Sequence, residues 1–349
     1  MKNSGFINAF KGEMYKLLNK KFIKFLIALI VVFIVFTAGY KILYNTFSSY
    51  DGAVDSYMDP STYPEYVDSL KVMLQEYEKT ETSPLLKLVD TSTYSLKANI
   101  ALYQYAIDNN IDLASYNLFG NVISISSSSS VIFNGNAFVI IALEIMAFMI
   151  IIFSIVHVCK VMVGEVQNGT MKMQLLRPIS RDAILSAKYI TIWAFGIVML
   201  MLSFILALLI GLVIFKFDST PYLMVINATK VVKISAIGVL FIYLLSYITI
   251  LILFTSVAMG ISNIVKTQSG AISLTLVIYL IGGSIEKLAA YIYVGFIGIA
   301  INSNWINALT TTGPTLNYMN TYSMILISIL WIVLSLTSAH LLFKRRDIQ

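Results

Sequence analysis

Cysteine is nearly missing from this chain. Cys159 stands alone among 349 residues, which excludes an internal disulfide. With only two histidines, His157 and His340, no Cys/His set of zinc-binding spacing can be assembled. Charge is scarce as well: Asp, Glu, Lys and Arg supply 12% of the residues, against about 25% in an ordinary soluble domain. The hydrophobic share is 58% and the mean hydropathy +0.81. So few charges leave long uncharged runs that only a bilayer accommodates, and a soluble globular fold is excluded. Proline occurs at six positions, Pro60, Pro64, Pro84, Pro178, Pro221 and Pro314, all outside the long apolar runs, where a broken backbone hydrogen bond would be costly. Catalytic signatures are missing too. No G-x-x-x-x-G-K-[ST] loop is present to cradle nucleotide phosphates, and neither G-x-S-x-G nor H-E-x-x-H occurs. Gly282-Gly283 sits inside an apolar run and reads as a helix-packing contact. The chain is therefore expected to be no enzyme and to hold no cofactor or metal of its own.

What is present is a set of apolar runs long enough to cross about 30 Å of hydrocarbon. They predict an all-α polytopic membrane protein with spans at 22–44, 137–159, 187–215, 231–259, 271–288 and 321–343. The run Ala290 to Ile301 is too short to span, so residues 289–320 read as a re-entrant or interfacial region. Residues 1–21 form a lysine-rich interfacial amphipathic helix, and 344–349 a short tail.

The net charge of +6 is distributed rather than uniform. Fifteen of the 24 basic residues precede or open the first span, lie from Lys160 to Lys188 at the start of the third, or follow the fourth or the last. The positive-inside rule places those segments in the cytosol, with both termini there and an even number of crossings. From Lys41 to Asp112 five lysines face eleven acids, which puts residues 45–136 outside. Basic residues arranged in this way report orientation in a cell membrane and contact with lipid; no nucleic-acid partner is expected. The first span exceeds the length of a signal-peptide core and is expected to remain as an anchor.

In the outer segment, Tyr66, Leu70, Met73 and Tyr77 recur at helical spacing, as do Leu96, Ile100, Tyr103 and Ile107. A helical hairpin follows, acting either as a spacer on the span ends or as an element that captures or seals substrate. The segment 160–186 between the second and third spans is the most readable part of the chain. Gly169 can end the preceding helix, Thr170 can cap a new one, and Met171, Gln174 and Leu175 share a face up to Leu176, Arg177 and the break at Pro178. Ser180 then caps the third span, with Asp182 in its first turn. A short, apolar-faced helix held between two rigid spans suits a groove on another protein, or else lies on the headgroups.

This segment resembles a family. Glu165, Gly169-Thr170, Leu175-Leu176, Pro178-Ile179, Arg181 and Lys188 look like the E-x-x-x-G-T, L-L, P-[IVL]-[ST]-R, K signature of the type-2 class of ABC transporter permeases, notably bacterial exporters of peptides and antibiotics. The N-terminal stretch with Glu13 and Tyr15-Lys16-Leu17 and the terminal Phe343-Lys344-Arg345-Arg346-Asp347-Ile348 agree with it. The resemblance implies that the loop helix, with Glu165, Gly169, Thr170, Met171, Leu175, Leu176, Arg177, Pro178 and Arg181, is a coupling helix docking on a separate ABC ATP-binding subunit that binds ATP and Mg. It also implies a second permease subunit, identical or different, completing the pathway.

One ionisable residue lies deep within a span. Glu144 is expected either to line the pathway or to face a polar notch, whereas His157, thirteen residues along the same helix, reads as interfacial. Two functions remain open. The chain is an exporter permease moving or extracting a hydrophobic or amphipathic substrate, such as a peptide antibiotic or drug, and so associated with antibiotic resistance. Alternatively it is a non-transporting sensor or assembly scaffold whose outer helices bind a ligand or partner.

Overall fold

The computed structural model describes residues 2–18, 20–47, 59–79, 92–120, 134–171, 180–265, 267–290, 298–314 and 319–345. Among them, six helices are long and apolar enough to cross a membrane: Phe22–Thr46, Gly135–Gln167, Arg181–Ile214, Ala236–Ile264, Gln268–Ile285 and Thr321–Lys344. The elements in chain order are α1 (Lys2–Leu17), α2 (Lys20–Phe47), α3 (Tyr63–Lys79), α4 (Ser92–Asp108), β1 (Asn117–Leu118), α5 (Gly135–Cys159), α6 (Arg181–Ile214), β2 (Tyr222–Ile226), β3 (Lys230–Ile234), α7 (Ala236–Ile264), α8 (Gln268–Ala290), α9 (Ile299–Ser303) and α10 (Thr321–Arg345). Short 3-10 turns at Pro60–Thr62, Leu113–Ser115 and Trp305–Leu309 complete them. The chain is an all-α polytopic membrane protein to which a small sheet is added.

Helix α5 is the axis of the bundle. It packs on α6, α7, α8 and α2, and α10 closes the far side by packing on α7. Contact between α5 and α6 is backbone-close at one end: a Cβ on Gly135 would meet the Gly211 carbonyl oxygen at 2.6 Å, and one on Gly211 would meet the Gly135 carbonyl oxygen at 2.9 Å. Small residues allow this approach, which side-chain packing alone must reward in lipid. Helix α2 leaves Ile27, Val31, Ile34 and Val35 exposed and attaches through an aromatic seam instead. Phe25 stacks on Phe153 with centroids 4.0 Å apart, Phe36 on Phe138 at 5.5 Å, and the Tyr40 hydroxyl donates to the Asn134 carbonyl at 2.9 Å.

Helix α1 and the last turn of α10 lie at one end of the bundle, here the terminal end, beside the start of α6; the opposite, distal end carries a separate core. There α3 and α4 pack on each other, and Tyr63, Tyr94, Ala98, Leu102 and Leu113 are buried together with Leu223, Val225 and Ala228 of the hairpin. Strand β2 pairs antiparallel with β3 and parallel with β1. Asn227 and Ala228, both at positive φ (52° and 58°), make the hairpin turn, as in a type I′ turn. Asn227 Oδ1 also accepts from the Thr321 backbone at 2.9 Å, which seats the first turn of α10.

Several boundaries differ from those expected. The span expected at 231–259 is the helix 236–264, because Val231, Val232 and Ile234 are strand residues and Ser235, accepting from the Gly238 N–H at 3.2 Å, caps the helix after them. Hydropathy counts β-branched residues alike in strand and span. The expected loop 160–186 shrinks, since α5 runs on through a π-helical turn at Lys160–Gly164 to Gln167, and α6 starts at Arg181 rather than at residue 187. The region expected as a re-entrant element, 289–320, contains α9 and the turn Trp305–Leu309; residues 291–297 and 315–318 lie outside the described residues.

Candidate functional site

The terminal end is held by a closed ring of charge. Lys188 Nζ lies 2.9 Å from Glu13 Oε1 and 2.7 Å from Glu165 Oε2, and Lys16 Nζ lies 3.0 Å from Glu13 Oε1 and 2.7 Å from Glu165 Oε1. Two carboxylates and two ammonium groups thus make four ion pairs with no net charge. Lys188 has a side chain that is 0% exposed, whereas Lys16 is 44% exposed. Burial alone would lower the pKa of Lys16, but its hydrogen bond to Glu165 and the nearby Glu13 charge offset this and hold it above the ordinary lysine value. The ring joins α1, the end of α5 and the second turn of α6. Buried charges are tolerable only when so paired, and removing one partner strands the others.

From this ring the chain leaves α5. Gly169, at φ +71°, ends the helix: its N–H donates to the Val166 carbonyl at 3.1 Å, and that of Asn168 to Gly164 at 2.9 Å. Thr170 and Met171 are helical again after this break, and the Thr170 hydroxyl donates back to the Glu165 carbonyl at 3.1 Å. Met171 is fully buried. Leu175, Leu176, Arg177 and Pro178 lie outside the described residues. The chain re-enters at Ser180, whose Oγ caps α6 by accepting from Ala183. The Arg181 guanidinium donates to the Lys344 carbonyl at 3.2 Å. Asp182 sits 3.0 Å from Lys344 and 3.3 Å from His340, so α10 is tied to the base of α6.

A second site lies toward the distal half of the bundle. A cavity of about 450 Å³ is bounded by α5, α7 and α8 and by the α9 region. Glu144 stands on its wall, nine residues into α5, ~14 Å along the axis. Its side chain is exposed and makes no hydrogen bond or ion pair among the described residues. Around it Tyr279 lies 6.0 Å from Phe148 and 4.8 Å from Phe254, centroid to centroid, with Tyr247 on the same lining. Asn304 and Asn307 supply polar atoms from the α9 side.

A family description, "ABC-2 family transporter protein", matches residues 7–348. The chain belongs to the ABC-2 transporter family. It is also 39% identical over 64 residues to "Uncharacterized protein YhcI" of Bacillus subtilis (strain 168), a match that covers 18% of this chain and 20% of that protein. Members of the ABC-2 family are permeases of ABC transporters, which work with an ATP-binding partner, and this chain is accordingly a multi-pass membrane protein.

Within this ABC-2 chain the structure brings Glu165 together with Lys188, two residues of the loop signature, and adds Glu13 and Lys16 from the N-terminal helix. It does not bring Arg181 to them. Lys188, the second residue of the expected third span, is a buried residue of α6. His157 lines a smaller cavity of about 280 Å³ beside Lys16 and Lys160 at the terminal end, away from Glu144. The aromatic wall around Glu144 went unread in the sequence because Phe148, Tyr247, Phe254 and Tyr279 come from three helices, and no periodicity within one helix reports them. Gly283, expected only as a packing contact, borders that cavity.

Proposed function

We propose that this chain is the permease subunit of an ATP-driven exporter, moving or extracting a hydrophobic or amphipathic substrate such as a peptide antibiotic or drug. Both termini and residues 172–179 face the cytosol, and the distal core faces outward. A separate ABC subunit binds ATP and Mg and hydrolyses the nucleotide; this chain contributes no catalytic group. The observation that carries the reading is the charge ring. It makes α1, α5 and α6 one body at the point where the segment 170–179 emerges, so a displacement applied to that segment is delivered to two spans rather than dissipated in a loop. A second permease subunit covers the Glu144 face, because an exposed carboxylate and an exposed Phe148 side by side at bilayer depth suit a wet protein interface and not lipid.

Co-purification with the ATP-binding subunit and an ATPase assay test this. Leu175→Asp should abolish complex formation by burying an unpaired charge, a penalty of several kcal/mol and more than about 100-fold in affinity. Full binding and stimulation in that variant would mean that this segment lies on the headgroups and does not dock on the ATPase.

A further inference from the structure

The cavity at Glu144 has a chemistry that selects a ligand class. Among the described residues that line it there is a single carboxylate, Glu144, with no ion-pair partner among them. The rings of Phe148, Tyr279 and Phe254 form a continuous run across α5, α8 and α7, with Tyr247 beside them. Aromatic faces carry negative potential, so rings and carboxylate act in the same sense: each attracts a cation, and neither attracts an anion. About 450 Å³ falls within the range of drug-sized sites, and the rings offer apolar area that a bare metal ion or a hydrated ammonium would leave unused. Asn304 and Asn307 add neutral donors and acceptors at the α9 edge without bringing in a positive charge.

We infer that this cavity binds a lipophilic organic cation, its positive centre between Glu144 and the aromatic run and its apolar body along the rings. The inference rests on the exporter reading for its purpose, since it names the substrate class, but binding itself requires no ATPase. It also narrows the substrate: neutral and acidic lipids are disfavoured, and amphipathic molecules with a delocalised or quaternary charge are preferred.

Tetraphenylphosphonium and tetraphenylborate, nearly equal in shape and opposite in charge, are suitable probes. Equilibrium dialysis of the full chain in detergent should give saturable phosphonium binding at least tenfold tighter than borate binding. Glu144→Gln should weaken phosphonium binding about tenfold or more, Glu144→Asp less, and Tyr279→Leu severalfold. Location is read separately in a Cys159→Ser, Ser284→Cys protein, whose maleimide labelling phosphonium should slow at least fivefold and borate should not. Equal affinity for the two ions, undiminished binding in a folded Glu144→Gln protein, or labelling at Ser284→Cys unaffected by phosphonium would each overturn the proposal. The charge comparison and the labelling use Glu144 intact, so they decide the matter even where a Glu144 variant does not fold. Failure here with normal ATPase coupling would leave the exporter reading standing, whereas loss of coupling with phosphonium binding retained would do the reverse.

Discussion

Glu144 and Glu165 lie on one continuous helix, 21 residues and on the order of 30 Å apart, and could hardly be treated more differently. Glu165 meets two ammonium groups at 2.7 Å and is sealed against α1 and α6. Glu144 meets none among the described residues and opens onto a cavity walled by aromatic rings. A carboxylate whose lone pairs are all engaged within the protein is a joint: its energy is spent on holding helices together. One that is left without a protein partner at bilayer depth is stable only with water or a ligand beside it, and such positions mark function. The same side chain thus separates the part of the bundle that transmits from the part that receives.

The comparison breaks first at Lys188. Lys188→Met keeps length and packing but removes the only buried ammonium of the ring, leaving Glu13 and Glu165 to share a half-exposed Lys16. The expected loss is about 3–5 kcal/mol, seen as a lowered melting temperature and poor assembly in detergent. Adding Glu165→Gln to Lys188→Met should recover part of it, giving a coupling energy above about 0.5 kcal/mol. As a contrast, Lys71→Met removes an exposed pair with Asp68 on α3 and should change stability by less than about 1 kcal/mol. Equal effects of the two lysine substitutions would show that the ring is no tighter than a surface pair.

How much of this was legible in the sequence follows from the range of each interaction. The six spans were readable because each is one uninterrupted apolar run, a property of neighbours in the chain. Glu165 and Lys188 were readable as signature residues. That they meet Glu13 and Lys16 was not, since Lys16 and Glu165 are 149 residues apart and Lys188 and Glu13 are 175 apart. The distal sheet was missed for a different reason: Tyr222–Ile226 is a buried apolar strand with no alternation to reveal it, and Val231 and Val232 were absorbed into a span. The turn at Asn227-Ala228 uses two non-glycine residues at positive φ, so the usual glycine signal was lacking.

The distal core supplies a middle case, fixed by shape rather than by charge. Gly313 has φ +81°, and a Cβ there would collide with the ring of Tyr94, whose hydroxyl donates to the Ala308 carbonyl at 2.9 Å. Gly313→Ala therefore meets a backbone penalty and a displaced tyrosine together, about 2–3 kcal/mol in sum. Amide exchange should quicken in α4 and the β2–β3 hairpin while α5 and α6 keep their protection. Uniform quickening through the spans would mean that the distal core and the bundle form one cooperative unit.

The smallest effect sharpens the comparison most. Glu144→Gln is nearly isosteric and removes a charge that no described residue pairs with, so global stability should change by no more than about 0.5 kcal/mol. Glu165→Gln, an identical chemical change on the same helix, takes a charge from two ion pairs and should cost on the order of 1–3 kcal/mol. Thermal unfolding of the two proteins, side by side in one detergent and at one pH, compares them without reference to substrate or ATPase. If Glu144→Gln were as damaging as Glu165→Gln, Glu144 would be a second joint, and the division of this helix into a coupling end and a receiving end would fail.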